Sequence, residues 1–252
     1  TINNTQAPPD IINHNIAVAG DRAYIFGGDP LSGGISVNSF FSLDFRTLAW
    51  TQIRPDTSGS VVWPAGRSVC GFAGVGNALY MFGGRGAKRA DMTDLWRFDP
   101  GPAAGLGNWT LLSAAGGPVA RSDFGFVAAN DTLYAFGGSS RPVFPGKVSY
   151  LNDLWYWRLP AGGWKRLSAA GAPPARKNLG LIAHAGGLYV YGGNGLTAPW
   201  ATMLHRFDLS THTWTVLSTT GDAPPSFSAV STTSIGPLFF MFGGTQDGIT
   251  VL

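Results

Sequence analysis

The stretch TLYAFGG, residues 132–138, decides how this chain is read. It is a good strand that ends in two adjacent glycines, which strands normally avoid because glycine has no side chain to pack. The same ending recurs in AYIFGG up to Gly28, LYMFGG up to Gly84, LYVYGG up to Gly193 and FFMFGG up to Gly244. Five copies spaced a little above fifty residues apart make this a repeat protein.

Reading outward from the double glycine gives the unit. From Ala175, ARKNLGLIAHAGGLYVYGG holds two apolar segments around a small-residue turn at Ala185–Gly187. A variable loop follows, then MLHRFDLSTHTWTVL with a turn at Ser210–Thr213. This pattern predicts four short, consecutive, antiparallel strands per repeat. A lone four-stranded sheet leaves apolar faces uncovered, so the units must pack on one another, as the blades of a β-propeller do. Third strands are predicted at 38–45, 93–100, 152–159 and 202–209. Fourth strands open with Trp50, Trp109, Trp164 and Trp214. Each of these indoles can bury ~150–250 Å² and is expected in the core between repeats. Asp44, Asp99 and Asp208 precede the turn between third and fourth strands, where a carboxylate can cap nearby backbone N–H groups. The second strand is expected near the axis, with Gly-Gly supplying positive φ and close approach.

The double glycine, the NDLW…FD run and the following Trp together resemble the Kelch repeat over essentially the whole chain. The closest resemblance is to long-repeat members carrying a Pro-x-x-Arg-type segment before each first strand. That segment reads PAGRS at 64–68, PVARS at 118–122 and PPARK at 173–177, and it lacks the Arg in PPDIINH (8–14) and PPSFS (224–228). The resemblance implies an all-β, Kelch-type β-propeller. The expectation is a single domain over 1–252, with repeats at about 11–53, 67–112, 121–167, 176–217 and 226–252 plus 1–6. Five four-stranded blades would be closed by pairing of the N- and C-terminal strands. The alternative is a fragment of a six- or seven-bladed ring.

Composition agrees with strands and turns. All fourteen acidic residues are Asp and there is no Glu, alongside 36 Gly and 17 Pro. Charged residues make up 12%, about half the usual ~25%. The net charge of +3 comes from scattered Arg and Lys without a basic stripe, which argues against nucleic acid as a partner. No apolar run reaches the ~20 residues of a membrane span, so no membrane insertion is expected. The single Cys70 precludes an intrachain disulfide framework. The start at Thr1 is read as that of a processed product or a piece of something longer.

The two tight hairpin turns of each repeat share one end of the blade; the long, irregular loops share the other. Function usually sits on such loops. The candidate partner-binding face is Arg67, Arg85, Arg121, Arg141, Arg176, Lys177, His14, Trp63, Phe144 and Trp200, with Asp123 and Asn178 nearby. Arg and Trp are typical interface anchors. A plainer account has the repeated Arg67, Arg121 and Arg176 bonding backbone carbonyls, and their recurrence favours it. With few Asp nearby, the cluster would be electropositive and suit an acidic or polar protein partner.

No catalytic residue, cofactor or metal is assigned. Nitrile-specifier-type Kelch proteins are expected to need an iron site containing Glu, which this chain lacks. His14, His184, His205 and His212 fall at different strand positions and do not converge as metal ligands must. Cys70 reads as a small buried apolar residue. The expected function is therefore a non-catalytic binding or scaffolding module. N-x-S/T triplets at Asn3, Asn108 and Asn130 motivate a second reading, a structural module of an extracellular or cell-surface glycoprotein assembly. A carbohydrate-active or redox enzyme is the third. The compartment leans extracellular or cell-surface, with cytoplasmic as the alternative.

Overall fold

The computed structural model describes residues 7–54, 62–102, 105–142, 146–160, 162–167, 170–195, 203–222, 228–229, 231–246 and 249–250. Among them the regular structure is entirely strand. Four repeats each form one four-stranded antiparallel sheet in sequence order. Repeat 1 uses Asn15–Ala19, Arg22–Phe26, Phe40–Asp44 and Trp50–Ile53; repeat 2 uses Gly71–Val75, Ala78–Phe82, Leu95–Pro100 and Gly107–Ser113. Repeat 3 uses Gly125–Ala129, Thr132–Ser140, Ser149–Arg158 and Lys165–Leu167; repeat 4 uses Gly180–His184, Gly187–Tyr191, Leu204–Asp208 and Thr213–Leu217. These are blades of a β-propeller. In the fifth repeat Ser231–Ile235 pairs with Leu238–Phe242, and Ile249–Thr250 pairs with Thr245–Gln246. The proposed closing strand at 1–6 lies outside the described residues.

The chain packs as two compact units, one of residues 1–122 with 141–147 and one of 123–140 with 148–252. In the first, Trp109 of repeat 2 lies against Phe26 and Phe40 of repeat 1 at 5.6 and 5.4 Å between ring centroids, and against its own Phe98 at 5.1 Å. In the second, Trp214 of repeat 4 meets Phe136 of repeat 3 and its own Phe207, each at 5.1 Å. The inter-repeat role expected of these indoles therefore holds for Trp109 and Trp214. Trp164 is buried against Trp157 of its own sheet, while Trp50 is only half-buried.

Neighbouring repeats meet through their first strands, Asn15–Ala19 against Gly71–Val75 and Gly125–Ala129 against Gly180–His184. The second strand, expected innermost, thus lies one place further out in each sheet. Both glycines of the pair do take positive φ; Gly27 stands at +69° and Gly28 at +101°. A Cβ on Gly27 would stand 2.1 Å from the Arg67 carbonyl oxygen of the next repeat, so only glycine fits. Repeat 3 departs from the template. Its second and third strands continue past the double glycine, through a bulge at Phe136/Gly138, so that Ser139 pairs with Tyr150. Much of the predicted loop 139–151 is therefore an extended hairpin.

Candidate functional site

The long-loop end is built on a repeated clasp. The Arg67 main chain is gripped by repeat 1: its carbonyl accepts the Gly28 N–H at 2.9 Å and its own N–H donates to Val37 O at 3.1 Å. The side chain turns into its own repeat, where Nε donates to Ala65 O (3.1 Å) and Nη1 to Gly83 O (2.9 Å), the first glycine of that repeat's pair. Nη1 and Nη2 also grip both oxygens of Asp94 at 2.7 and 2.8 Å, a bidentate pair. Arg121 repeats the clasp through Gly84 N–H and Met92 O, and Arg176 through Gly138 N–H and Leu151 O. Arg176 likewise donates to Pro174 O (2.9 Å) and Gly192 O (3.1 Å).

Arg67, Arg121 and Arg176 are 0%, 0% and 4% exposed. A guanidinium held this deeply offers no surface to a docking partner. The three arginines expected on the contact face are internal braces.

Repeat 4 alters the brace. Where repeat 2 has Asp94 and Trp96, it has Met203 and His205. The His205 ring lies buried, its Nδ1 3.2 Å from Met203 O. Burial pushes the imidazole pKa down, and the nearby Arg176 charge adds to this. Burial also lowers the Arg176 pKa.

Two residues after each bracing arginine, and at the matching place in the first and last repeats, stands a residue in the left-handed region: Asn13 (φ 56°), Val69 (49°), Asp123 (59°), Asn178 (54°) and Ala229 (58°). Their main chains link successive repeats, Val69 N–H to Asn13 O at 3.0 Å in the first unit, and Asn178 N–H to Asp123 O at 2.7 Å and Ala229 N–H to Asn178 O at 2.9 Å in the second. The polar side chains among them meet the residue that follows the double glycine, sixteen positions on. Asn13 donates to Asp29 (2.9 Å), Asp123 accepts from Ser139 (3.4 Å) and Asn178 donates to Asn194 (3.3 Å). Asp123 and Asn178, read from sequence only as polar variety, are thus connectors, and Asn and Asp tolerate this geometry best.

The remaining face residues divide by environment. Half-buried Arg85 donates from Nη2 to Ser122 Oγ at 3.2 Å, and its Nε lies 3.9 Å from Asp91 Oδ1. The Asp91 carboxylate accepts the Arg141 backbone N–H at 2.6 Å, and Asp91 N–H donates to Arg141 O at 3.1 Å. Asp91 therefore latches Arg141 to the loop after Gly84. Burial pushes its carboxyl above the usual range against the pull of Ser122, the Arg141 N–H and both arginine charges. The expectation of few aspartates near these arginines is corrected here, since Asp91 and Asp94 lie among them. Asp91 was missed because a single acid in a variable loop carries no repeating signal.

Trp63 donates from Nε1 to Asn38 O (3.2 Å) and packs on Phe40 and Trp109, so it caps the core of its unit. Lys177 Nζ lies 5.8 Å from the Tyr150 ring centroid, and His14 is exposed. Phe144, Trp200 and Asn3 lie outside the described residues. Lys88, Arg89 and Lys147, not singled out from sequence, are exposed cations on the long loops. At the hairpin end Asn108 and Asn130 are both exposed. Cys70 is buried and its thiol is pushed up to about 12 by burial, which makes it a poor nucleophile. Among the described residues no group of three or more His, Cys or Asp side chains gathers closely enough to hold a metal ion, and no helix is long and apolar enough to cross a membrane.

Comparison with known proteins follows the same repeats. Residues 13–244 match the KLHDC2/KLHL20/DRC7 Kelch-repeats domain. The N-(sulfonatooxy)prop-2-enimidothioate sulfolyase of Thlaspi arvense is 30% identical over 95% of this chain and 71% of that protein. Acyl-CoA-binding domain-containing protein 4 of Arabidopsis thaliana is 27% identical over 96% of this chain but only 36% of its own length. Kelch domain-containing protein 3 of Mus musculus is 24% identical over 92% of this chain and 60% of its own.

Proposed function

For a chain that belongs to the Kelch-repeat family of β-propellers, we propose a non-catalytic role in binding or scaffolding proteins, exercised by the long-loop end of a single propeller domain. The division of labour at that end carries the reading. The repeated arginines are consumed inside the fold, whereas Lys88, Arg89 and Lys147 stand exposed on irregular loops that Asp91 holds in place. Surface cations on a braced scaffold favour an acidic or polar protein partner. The test is capture of the native partner by wild type and two variants. Lys88→Glu with Lys147→Glu should leave melting nearly unchanged and weaken capture most at low salt, where screening is least. Arg46→Glu, at the hairpin end, should capture normally. Loss of capture by the Arg46 variant alone would place the contact face at the wrong end.

A lyase is the second reading, favoured by the sulfolyase relative. Purified protein, with and without added ferrous iron, would be given N-(sulfonatooxy)prop-2-enimidothioate and assayed for released sulfate. No release is the result expected of a binding module. The exposed Asn108 and Asn130 leave a place for a glycosylated, cell-surface module, for which the intact mass of the native protein is the check.

A further inference from the structure

Resting on the long-loop reading, one groove defines a more specific partner. It lies within the first unit, between the loop at Ile35–Asn38 and the loop at Gly86–Met92, with Ala65 and Gly66 between them, and encloses about 600 Å³. That falls within the ~300–1,000 Å³ of ordinary ligand pockets. Its surface is small and apolar, supplied by Val37, Ala65, Gly66, Ala87, Ala90 and Met92. Ile35, at its edge, is 65% exposed, a large aliphatic side chain left in water.

The walls are set rather than loose. Gly66 sits so close to the opposite loop that a Cβ there would come within 2.3 Å of Ser36 O. Ser36 donates to Asp29 at 2.6 Å, and Val37 N–H to Gly28 O at 2.9 Å. On the other side the turn is closed by Gly86 N–H to Ala90 O and by Arg89 N–H to Gly86 O, each 2.9 Å. Main-chain groups are thus used to build the walls, and recognition falls to shape and charge.

The charge is one-sided. Lys88 and Arg89 are exposed on the turn. Asp91, the one carboxylate among the lining residues, is directed inward to the Arg141 N–H and Arg85. We propose that this groove binds an extended, acidic segment of a partner protein, with an apolar side chain seated between Ala65 and Ala90 and flanking carboxylates paired with Lys88 and Arg89.

The probe is a fluorescein-labelled peptide, Asp-Asp-Leu-Ala-Asp-Asp, followed by polarisation at low and high salt. A peptide with Lys in place of every Asp and a single-stranded oligothymidylate serve as controls. Binding of the acidic peptide alone is expected, weakened by salt. Lys88→Glu with Arg89→Glu should reduce it at least tenfold, and Ala65→Trp, which fills the groove without changing charge, should do the same with melting unchanged. Equal binding by wild type and Ala65→Trp would overturn the groove, and so would absence of binding to wild type. Tighter binding of oligothymidylate would overturn the occupant. None of these failures would undo the broader reading if native-partner capture still depends on Lys88 and Lys147.

Discussion

Arg67 serves its own repeat with its side chain and the preceding repeat with its main chain. Burial works against the Asp94 charge, but the Arg67 hydrogen bonds and charge outweigh it and hold the carboxyl below the ordinary range. The contribution to stability is complete above about pH 4, where an unfolded aspartate is ionised, and is lost as pH falls through the lower folded value. Arg67→Ala leaves a largely buried carboxylate without its counter-charge, although the Trp96 indole N–H still donates to it, and is expected to cost about 3–5 kcal/mol in urea unfolding at neutral pH. That deficit should shrink in acid. Asp91 has the opposite sign: its folded carboxyl titrates above the unfolded one, so its contribution declines as pH rises through that window. Asp91→Asn keeps an acceptor for the Arg141 N–H, so its melting temperature at neutral pH should equal or exceed that of wild type. Val69 occupies a left-handed position where its neighbours in the series are mostly Asn or Asp. A β-branched residue there is strained by roughly 1–3 kcal/mol, so Val69→Asn should raise the melting temperature. The recurrence of Arg67, Arg121 and Arg176 was visible in the sequence and pointed to bracing. Their burial was not, because it depends on carbonyls sixteen positions further along the same repeat, which no local pattern reveals.

At the level of strands, what the sequence showed was what depends on local pattern. The double glycine, the short apolar strand before it and the Asp before a turn each report a backbone requirement within a few residues. Asp44 and Asp208 do cap their turns, accepting N–H groups of Arg46 and Thr47, and of Ser210 and Thr211. Asp99 instead pairs with Arg97, because the longer excursion 101–106 replaces the tight turn. The extended hairpin of repeat 3 was hidden for the same reason: Ser139 and Tyr150 pair across a loop with no strand signature. The indoles separate by depth. Trp109→Ala opens the packing between two repeats and should cost about 3–5 kcal/mol. Trp50→Ala, at a half-exposed position, should cost clearly less; equal losses in chemical denaturation would remove the distinction.

For the molecule as a whole, the propeller class was legible because period, strand count and glycine signature all agree. The proposed working surface was less so. Residue type marked Arg and Trp as anchors, yet Arg67, Arg121, Arg176 and Trp63 are drawn into the fold, and the exposed Lys88, Arg89 and Lys147 lie in segments without periodicity. In the proposed reading, buried braces and exposed loop cations divide the labour of the long-loop end. Hydrogen–deuterium exchange of the protein with and without its captured partner separates this from a contact at the hairpin end. New protection is expected in the long loops around 85–91 and 141–148, with the hairpin turns at 20–21, 76–77 and 130–131 unchanged. Protection confined to those hairpin turns would contradict that reading.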